Sequence, residues 1–171
     1  MLAQRLSKID EPQTIRMAKL SRELRAQGQD IIDLSLGEPD FRTPQHIVDA
    51  AKQAMDDGFT KYPPVAGFPE LRQAVVDKFK RENNLDYALD QVMVSTGAKQ
   101  CIANSVLSIV NPDDEVIIPS PFWVTYADIV KLADGKVVQV HGSFENDFKI
   151  TADQLEAAIT AASRGHRVKV F

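Results

Sequence analysis

Short runs of strand-forming residues alternate with helical segments of about 10 to 15 residues in the second half of the chain. The strand-like runs lie at residues 92–94, 115–118, 136–140 and 167–171, and helical periodicity lies at residues 98–109, 122–132 and 151–161. Thr151 is expected to cap the last of these helices. Parallel strands need crossover connections of this kind, and such crossovers are right-handed in nearly all proteins. The sequence therefore predicts an α/β domain with a mostly parallel sheet and flanking helices.

The N-terminal part of the chain does not continue this alternation. Helices are predicted at residues 12–27 and 69–83, and a helix after Thr43, which is expected to act as its cap. An alternating run at residues 31–36 predicts a strand that ends in a turn at residues 37–40. We expect residues 1–45 to form an arm. Residues 46–171 are expected to form an incomplete larger domain, because the sequence stops on a strand with no helix after it.

Residues 95–97, Ser-Thr-Gly, connect a predicted strand to a predicted helix. The first N–H groups of such a helix have no partner within the helix, and they lie at the positive end of its dipole. A phosphate or carboxylate site is therefore predicted at this turn. The alternative is an ordinary strand-to-helix connection with a capped helix start, since such turns recur throughout α/β proteins.

Composition and charge argue against several classes of function. The 171 residues carry a formal net charge of −4 with a pI near 5.4, which is unlike a nucleic-acid-binding or polybasic membrane surface. No secretory signal or membrane span is predicted, and a single cysteine, Cys101, suits a reducing, cytoplasmic location. His46, His141 and His166 are scattered, so no metal site is predicted. A dinucleotide-binding fold is disfavoured, because no Gly-x-Gly-x-x-Gly follows a strand.

Four segments occur in one order along the chain: SLGEPDF at residues 35–41, KYPPVAGFPELR at residues 61–72, STGAKQ at residues 95–100 and PSPFWVTY at residues 119–126. In this order and spacing they resemble the N-terminal half of the class I aminotransferases, most closely the bacterial aspartate/prephenate branch. The resemblance covers nearly the whole chain. It implies the large domain of a fold-type I pyridoxal-phosphate transferase, preceded by an arm and small-domain segment at residues 1–45.

The resemblance implies pyridoxal 5'-phosphate as cofactor and suggests which residues hold it. Gly97, Ala98 and Lys99 match the helix start that binds the cofactor phosphate, largely through backbone N–H groups, with the Lys99 side chain expected to point to solvent. Trp123 matches the aromatic residue that stacks on the pyridine ring. Tyr62 matches a tyrosine whose hydroxyl reaches the phosphate of the neighbouring subunit, which implies a homodimer in the full-length form.

The same resemblance implies an amino acid and a 2-oxo acid as substrates. Gly37 ends a predicted strand where a backbone N–H can approach the substrate carboxylate with no side chain in the way, and Trp123 borders the substrate as well. The alternatives are a turn glycine at Gly37 and a core aromatic at Trp123. Asp33, Glu38 and Asp40 are interpreted as polar residues at a strand end, not as a catalytic pair of carboxylates.

No catalytic residue is expected within these 171 residues. In the family, the lysine that joins the cofactor, the aspartate on the pyridine nitrogen and the arginine for the substrate carboxylate all follow further along the chain. The sequence is therefore interpreted as a fragment of an aminotransferase of amino-acid biosynthesis that uses aspartate or a similar donor, and that is inactive by itself. Two alternatives stay open: a non-catalytic remnant or dimerisation fragment, and another fold-type I enzyme such as a carbon–sulfur lyase.

Overall fold

The computed structural model describes residues 3–9, 11–162 and 168–170, and the chain divides into two compact units. One unit combines Met1–Leu36 with Gly97–Phe171, and the other is Gly37–Thr96. The predicted boundary after residue 45 lies inside the second unit and stays a prediction.

Six α-helices and three strands follow one another in the described residues. In chain order they are α1 (Gln13–Ala26), α2 (Gln45–Asp56), α3 (Pro69–Asn83), α4 (Ala98–Ile109), β1 (Glu115–Ser120), α5 (Thr125–Leu132), β2 (Lys136–His141), α6 (Ala152–Ala162) and β3 (Val168–Val170). Short 3-10 turns lie at Gln4–Lys8, Leu89–Gln91 and Phe144–Asn146. Among the described helices, none is long and apolar enough to cross a membrane.

The sheet of the first unit is parallel, with strand order β2-β1-β3. Its central strand, β1, pairs with β2 from Glu115 opposite Lys136 to Ser120 opposite His141. Since β1 has a neighbour on each side, its middle residues are fully buried and uniformly apolar, as in most parallel sheets. The predicted mostly parallel α/β fold is confirmed.

The core of the first unit forms where α4 and α5 pack against this sheet. The buried residues of this cluster are aliphatic side chains from α4 and its end, β1 and α5: Val106, Val110, Val116, Ile118, Ile129 and Val130. Phe122, which follows β1, packs against the same cluster. Burial of these side chains therefore holds the end of β1 and the start of α5 in place.

The second unit contains α2 and α3 and a loop between them. Gly67 in this loop has φ +96°, and a Cβ placed on it would lie 2.9 Å from Cβ of Val94, so a glycine is required there. The Arg72 guanidinium donates hydrogen bonds to the carbonyl oxygens of Val92, at 2.8 Å, and of Leu89. These contacts fix the segment before residue 95 against the start of α3.

Two of the predicted strands do not form in the structure, and the same physical reason explains both wrong predictions. Residues 31–36 and 92–94 are not paired in a sheet, although their alternation is that of a strand. In residues 92–94 only one backbone bond to another segment is described, from the Val94 N–H to the Ala66 carbonyl oxygen at 3.0 Å. A strand needs a neighbouring strand to complete its hydrogen bonds, and periodicity alone does not supply one.

The predicted helix caps have mixed outcomes. Thr43 was expected to cap α2, but Pro44 occupies the cap position without a side-chain hydrogen bond. The Thr151 cap of α6 is confirmed, because its hydroxyl accepts the Gln154 N–H at 3.2 Å while the Gln154 side chain accepts the Thr151 N–H at 2.9 Å.

Asp33 lies in the segment after α1, where its carboxylate is strongly stabilised. The Ser35 hydroxyl donates to it at 2.5 Å and the Ser35 N–H at 3.0 Å, while the Arg25 guanidinium lies 3.9 Å away. These contacts, the Ser35 hydroxyl first, lower the pKa of Asp33 from 3.8 to about 2. The interpretation of Asp33 as a local polar residue fits this arrangement.

We expect Asp33→Asn to destabilise the chain near neutral pH and to lose that effect in acid. Because the folded-state pKa of Asp33 is depressed, its stabilising contribution is present above about pH 4 and is lost as pH falls toward 2. The measurement is urea unfolding of both proteins at pH 6 and pH 2.5. Asp40→Asn is the control. An equal difference between wild type and Asp33→Asn at both pH values would contradict the assignment.

Candidate functional site

The carboxyl end of β1 and the start of α4 carry four of the predicted site residues. All four, Gly97, Ala98, Lys99 and Trp123, belong to the first unit. Trp123 lies three residues beyond the end of β1, and its carbonyl oxygen accepts the Tyr126 N–H at 3.0 Å at the start of α5. Open α/β sheets bind their ligands outside the carboxyl ends of the strands, which is where Trp123 lies.

The start of α4 has the backbone geometry of an anion site. Gly97 has φ +80° and ψ 166°, a conformation that in practice only glycine adopts. Its carbonyl oxygen accepts the N–H groups of Gln100 at 3.1 Å and Cys101 at 3.3 Å. The cap residue Gly97 has no side chain with which to cap this helix. The N–H groups of Ala98 and Lys99 therefore lie at the positive end of α4 without an acceptor from the helix itself.

Lys99 joins this helix start to Trp123. Its ammonium nitrogen lies over the Trp123 ring, 5.4 Å from the ring centroid, within the range of a cation–π interaction. The Trp123 side chain is 44% exposed. Lys99 is exposed, as expected, and the exposed indole also offers its long side chain an attractive partner. Trp123 is also not the core aromatic of the alternative interpretation.

Gly37 and Tyr62 lie in the second unit. Tyr62 is fully exposed in a loop, and Gly37 has no atom within 4 Å of the position that a Cβ would take. Both residues are thus free of local packing constraints. Their roles toward a substrate carboxylate and toward a neighbouring subunit stay predictions.

A polar pair that was not predicted from the sequence lies at the carboxyl edge of the sheet. Ser120 and His141 are opposite each other at the ends of β1 and β2, and the Ser120 hydroxyl and the His141 Nδ1 are 2.7 Å apart. His141 is exposed, as expected, but it is not an isolated surface residue. The sequence could have predicted this pair, because Ser120 and His141 each lie at the end of a predicted strand, and adjacent parallel strands end at the same edge of a sheet. His46 is exposed, and His166 lies outside the described residues.

Comparison with known proteins supplies the family. The family model for aminotransferase class I and II matches residues 29–171. The chain belongs to this family. Within the described residues, no group of three or more His, Cys, Asp or Glu side chains could hold a metal ion.

Relatives of this aminotransferase-family chain are similar over nearly its whole length. The aspartate/prephenate aminotransferase of Cereibacter sphaeroides is 50% identical, and the aspartate aminotransferase of Bacillus subtilis is 47% identical, each over 163 residues. These alignments cover 95% of this chain but only 41% and 42% of the relatives. The chain thus spans about two fifths of the length of the curated relatives it matches.

Solved structures show the same likeness and confirm the fold. The aspartate aminotransferase from Rhizobium meliloti superposes with a TM-score of 0.89 at 42% identity, covering 95% of this chain and 40% of that one. The Thermus thermophilus enzyme, whose structure is described with maleate, superposes with a TM-score of 0.89 at 41% identity. This superposition covers 95% of this chain and 42% of the Thermus thermophilus chain. The chain has the N-terminal part of the aspartate aminotransferase fold.

Pyridoxal phosphate, which the family implies, fits the residues that the first unit brings together. The start of α4 provides backbone donors for a phosphate, and the surroundings of Gly97 are open, since a Cβ there would meet no atom within 4 Å. Trp123 provides an exposed flat face for the pyridine ring, and Lys99 places a positive charge beside both. An anion site and an aromatic platform are the two features that a planar phosphate ester requires.

Proposed function

We propose that this chain provides the cofactor-phosphate site and the ring platform of an aminotransferase that transfers an amino group from aspartate or a similar amino acid to a 2-oxo acid. The observation that carries the proposal is the Lys99 ammonium 5.4 Å from the Trp123 ring centroid, because it links the open helix start to an exposed aromatic face. Pyridoxal phosphate, when bound, supplies an aldehyde for the amino group and a ring that accepts electrons from the substrate.

Each of the four site residues in the first unit has a defined part in this proposal. The backbone N–H groups of Ala98 and Lys99 hold the phosphate, and Gly97 gives the backbone the conformation that directs them outward. Trp123 orients the pyridine ring by stacking against one face and excludes water from that face. These residues bind and orient the cofactor, and none of them moves a proton in the reaction.

The proposed substrates follow from the relatives. The Cereibacter sphaeroides and Bacillus subtilis proteins are named for aspartate, and the Thermus thermophilus structure is described with maleate, which carries two carboxylates. A dicarboxylic amino acid is therefore the donor that we propose. The backbone N–H of Gly37 is proposed to approach its α-carboxylate, because no side chain blocks that position. The names of these relatives favour amino-group transfer over carbon–sulfur cleavage.

The proposal extends to assembly and location. We propose a cytoplasmic homodimer in which Tyr62 reaches the cofactor phosphate of the neighbouring subunit. The complete exposure of Tyr62 supports this role, since a buried tyrosine could not reach a second chain. For the 171-residue polypeptide tested by itself, we propose cofactor binding without transamination, because the resemblance assigns the lysine that joins the cofactor to a later part of the family's sequence.

Binding of pyridoxine 5'-phosphate tests the proposal. This alcohol has the ring and phosphate of the cofactor but no aldehyde, so it cannot react with surface lysines. Trp123 is the chain's one tryptophan, and its emission reports directly on the platform. We expect saturable quenching of that emission in the wild-type chain.

Replacing Trp123 should weaken this binding. We expect Trp123→Leu to raise the dissociation constant of pyridoxine 5'-phosphate by about two- to tenfold, since aromatic pairs contribute about 0.5–1.5 kcal/mol beyond their buried area. Trp123→Phe keeps a flat ring and should lose less. Both variants are measured by isothermal titration calorimetry, because the fluorescent reporter is gone. Unchanged affinity in Trp123→Leu would exclude Trp123 as the platform.

A further inference from the structure

We propose that Ser120 and His141 form a nucleophile and general-base pair that hydrolyses small, uncharged esters through an acyl-serine. The pair lies at the carboxyl edge of the parallel sheet, the edge at which open α/β sheets bind their ligands. Its chemistry needs no cofactor, and neither residue has a part in the proposed amino-group transfer. The hydrolysis is therefore a second activity, and it can be tested separately from the first.

The two side chains are as close as a nucleophile and its base need to be. Ser120 is directly opposite His141 in the register of β1 and β2, so both side chains leave the same face of the sheet. The Ser120 Oγ and the His141 Nδ1 are 2.7 Å apart, which is hydrogen-bond distance. A neutral imidazole with its proton on Nε2 accepts the hydroxyl proton at Nδ1. The hydroxyl can therefore lose its proton as it attacks a carbonyl carbon.

Backbone contacts hold both members of the pair. The Gly142 N–H donates to the Ser120 carbonyl oxygen at 2.8 Å, and the Gln154 side chain donates to the His141 carbonyl oxygen at 3.0 Å. Gln154 is itself fixed at the start of α6, because its side-chain oxygen accepts the Thr151 N–H at 2.9 Å. The ends of the two strands are thus held in place before a substrate binds, which lowers the entropic cost of the reaction.

The surroundings of the pair favour an uncharged ester. Ser120 is half-buried and His141 is exposed, so a small substrate can approach the pair from solvent. The loop after β2 carries two exposed aromatic rings, Phe144 and Phe148, with centroids 5.7 Å apart. This loop turns back onto the end of β2, since a Cβ on Gly142 would clash with the Phe148 carbonyl oxygen. An apolar surface in the loop beside the pair binds an apolar ester better than an ionic one.

The proposed reaction has two steps. In the first, Ser120 Oγ bonds to the ester carbonyl carbon while its proton passes to His141 Nδ1, and the bond to the alcohol part breaks as that proton is transferred to the leaving oxygen. In the second, a water molecule attacks the acyl-serine and gives a proton to His141 Nδ1. That proton returns to Ser120 Oγ as the carboxylic acid leaves. Ester and water are consumed, and both side chains are restored.

The test treats the full 171-residue chain with p-nitrophenyl butyrate and, separately, with a fluorophosphonate. Release of p-nitrophenolate measures ester cleavage. The fluorophosphonate bonds to a serine oxygen through phosphorus with loss of fluoride, and peptide mass spectrometry locates it. We expect the label on Ser120. A label found only on other residues, or on none, would overturn the inference without the need for any variant.

Replacement of each member of the pair assigns its role. Ser120→Ala should abolish labelling and reduce p-nitrophenolate release to the background of the chain. His141→Gln keeps a polar side chain that cannot take up the proton, and should slow labelling of Ser120 by about a hundredfold, since a general base contributes about 10²–10⁴-fold. Labelling at the wild-type rate in His141→Gln would show that the serine is not activated. Ester cleavage that persists in Ser120→Ala would mean that another group is the nucleophile.

The matched controls are Ser108→Ala and His46→Gln. Ser108 is an exposed serine whose hydroxyl donates to the Asn104 carbonyl oxygen of its own helix at 2.6 Å, and His46 is an exposed histidine in α2. Both variants lose the same kind of group without touching the pair, so both rates should equal those of the wild-type chain. An equal fall in the controls would contradict the assignment to Ser120 and His141. Circular dichroism of every variant verifies that the fold is retained.

Discussion

Replacing Ile118 with alanine is expected to lower the free energy of unfolding by about 2–5 kcal/mol. Ile118 lies in the central strand β1, is only 2% exposed, and packs in the cluster formed with α4 and α5. Truncation to alanine removes apolar contacts and leaves a cavity that the packed elements around it, β2, α4 and α5, prevent from closing. A chain of this size has a total stability of about 5–15 kcal/mol, so the loss is a large fraction of it.

The measurement is equilibrium unfolding in urea, followed by far-UV circular dichroism. Ile118→Val removes one methylene group and should cost about 0.5–1.5 kcal/mol. Ile32→Ala is the matched control, because Ile32 is 87% exposed in the same unit and its truncation should change stability by less than about 0.5 kcal/mol. Equal losses in Ile118→Ala and Ile32→Ala would contradict the assignment of β1 as the centre of the core.

The stability of β1 also matters for the site. The segment that carries Trp123 begins where β1 ends, and Phe122 anchors it to the same buried cluster as Ile118. A cavity in that cluster loosens the support of Phe122 and so of the platform beside it. The position of the aromatic platform is therefore a consequence of core packing, not of the loop sequence alone.

Helices were predicted well because their signals are local. Residues 69–83 and 98–109 form α3 and α4 with the predicted bounds. Pro69 occupies the first turn of α3, where a missing N–H costs nothing, and Gly97 precedes α4 in a conformation that no other residue tolerates. Such features depend on a few adjacent residues, so they can be recognised in the sequence itself.

Strands and contacts between distant residues were predicted less well. Residues 31–36 have the alternation of a strand but find no partner, because pairing depends on segments far away in the sequence. The Ser120–His141 hydrogen bond depends on the register of β1 against β2. Periodicity does not specify register. The contact of Lys99 with Trp123 likewise depends on where the sheet places residue 123 relative to α4.

The site combines both kinds of information. The family motif identified Gly97, Ala98, Lys99 and Trp123 individually, and the structure brings these four together in one unit. The backbone part of the site is encoded locally, since a glycine before a helix is enough to produce it. The position of Trp123 depends on the packing of the core, through Phe122. The Lys99 side chain connects the helix start to the Trp123 ring.

Gly97→Ala is expected to weaken phosphate binding at the helix start. Gly97 has φ +80° and ψ 166°, where a Cβ clashes with its own backbone, and holding alanine there costs about 1–3 kcal/mol. The chain relieves this strain by rotating the peptide before α4, which turns the donors away from the phosphate. Since a hydrogen bond to a charged group contributes about 1.5–3 kcal/mol, losing one weakens pyridoxine 5'-phosphate by at least about tenfold.

Gly28→Ala separates the loss of binding from the loss of stability. Gly28 follows α1 with φ +83°, and its Cβ position, like that of Gly97, has no atom within 4 Å. Alanine there is strained for the same reason, so stability falls in both variants, but only Gly97→Ala alters the start of α4. We expect urea unfolding to show a loss in each and calorimetry to show weaker phosphate binding in Gly97→Ala alone. Wild-type affinity in Gly97→Ala would mean that the phosphate is bound elsewhere than at this helix start.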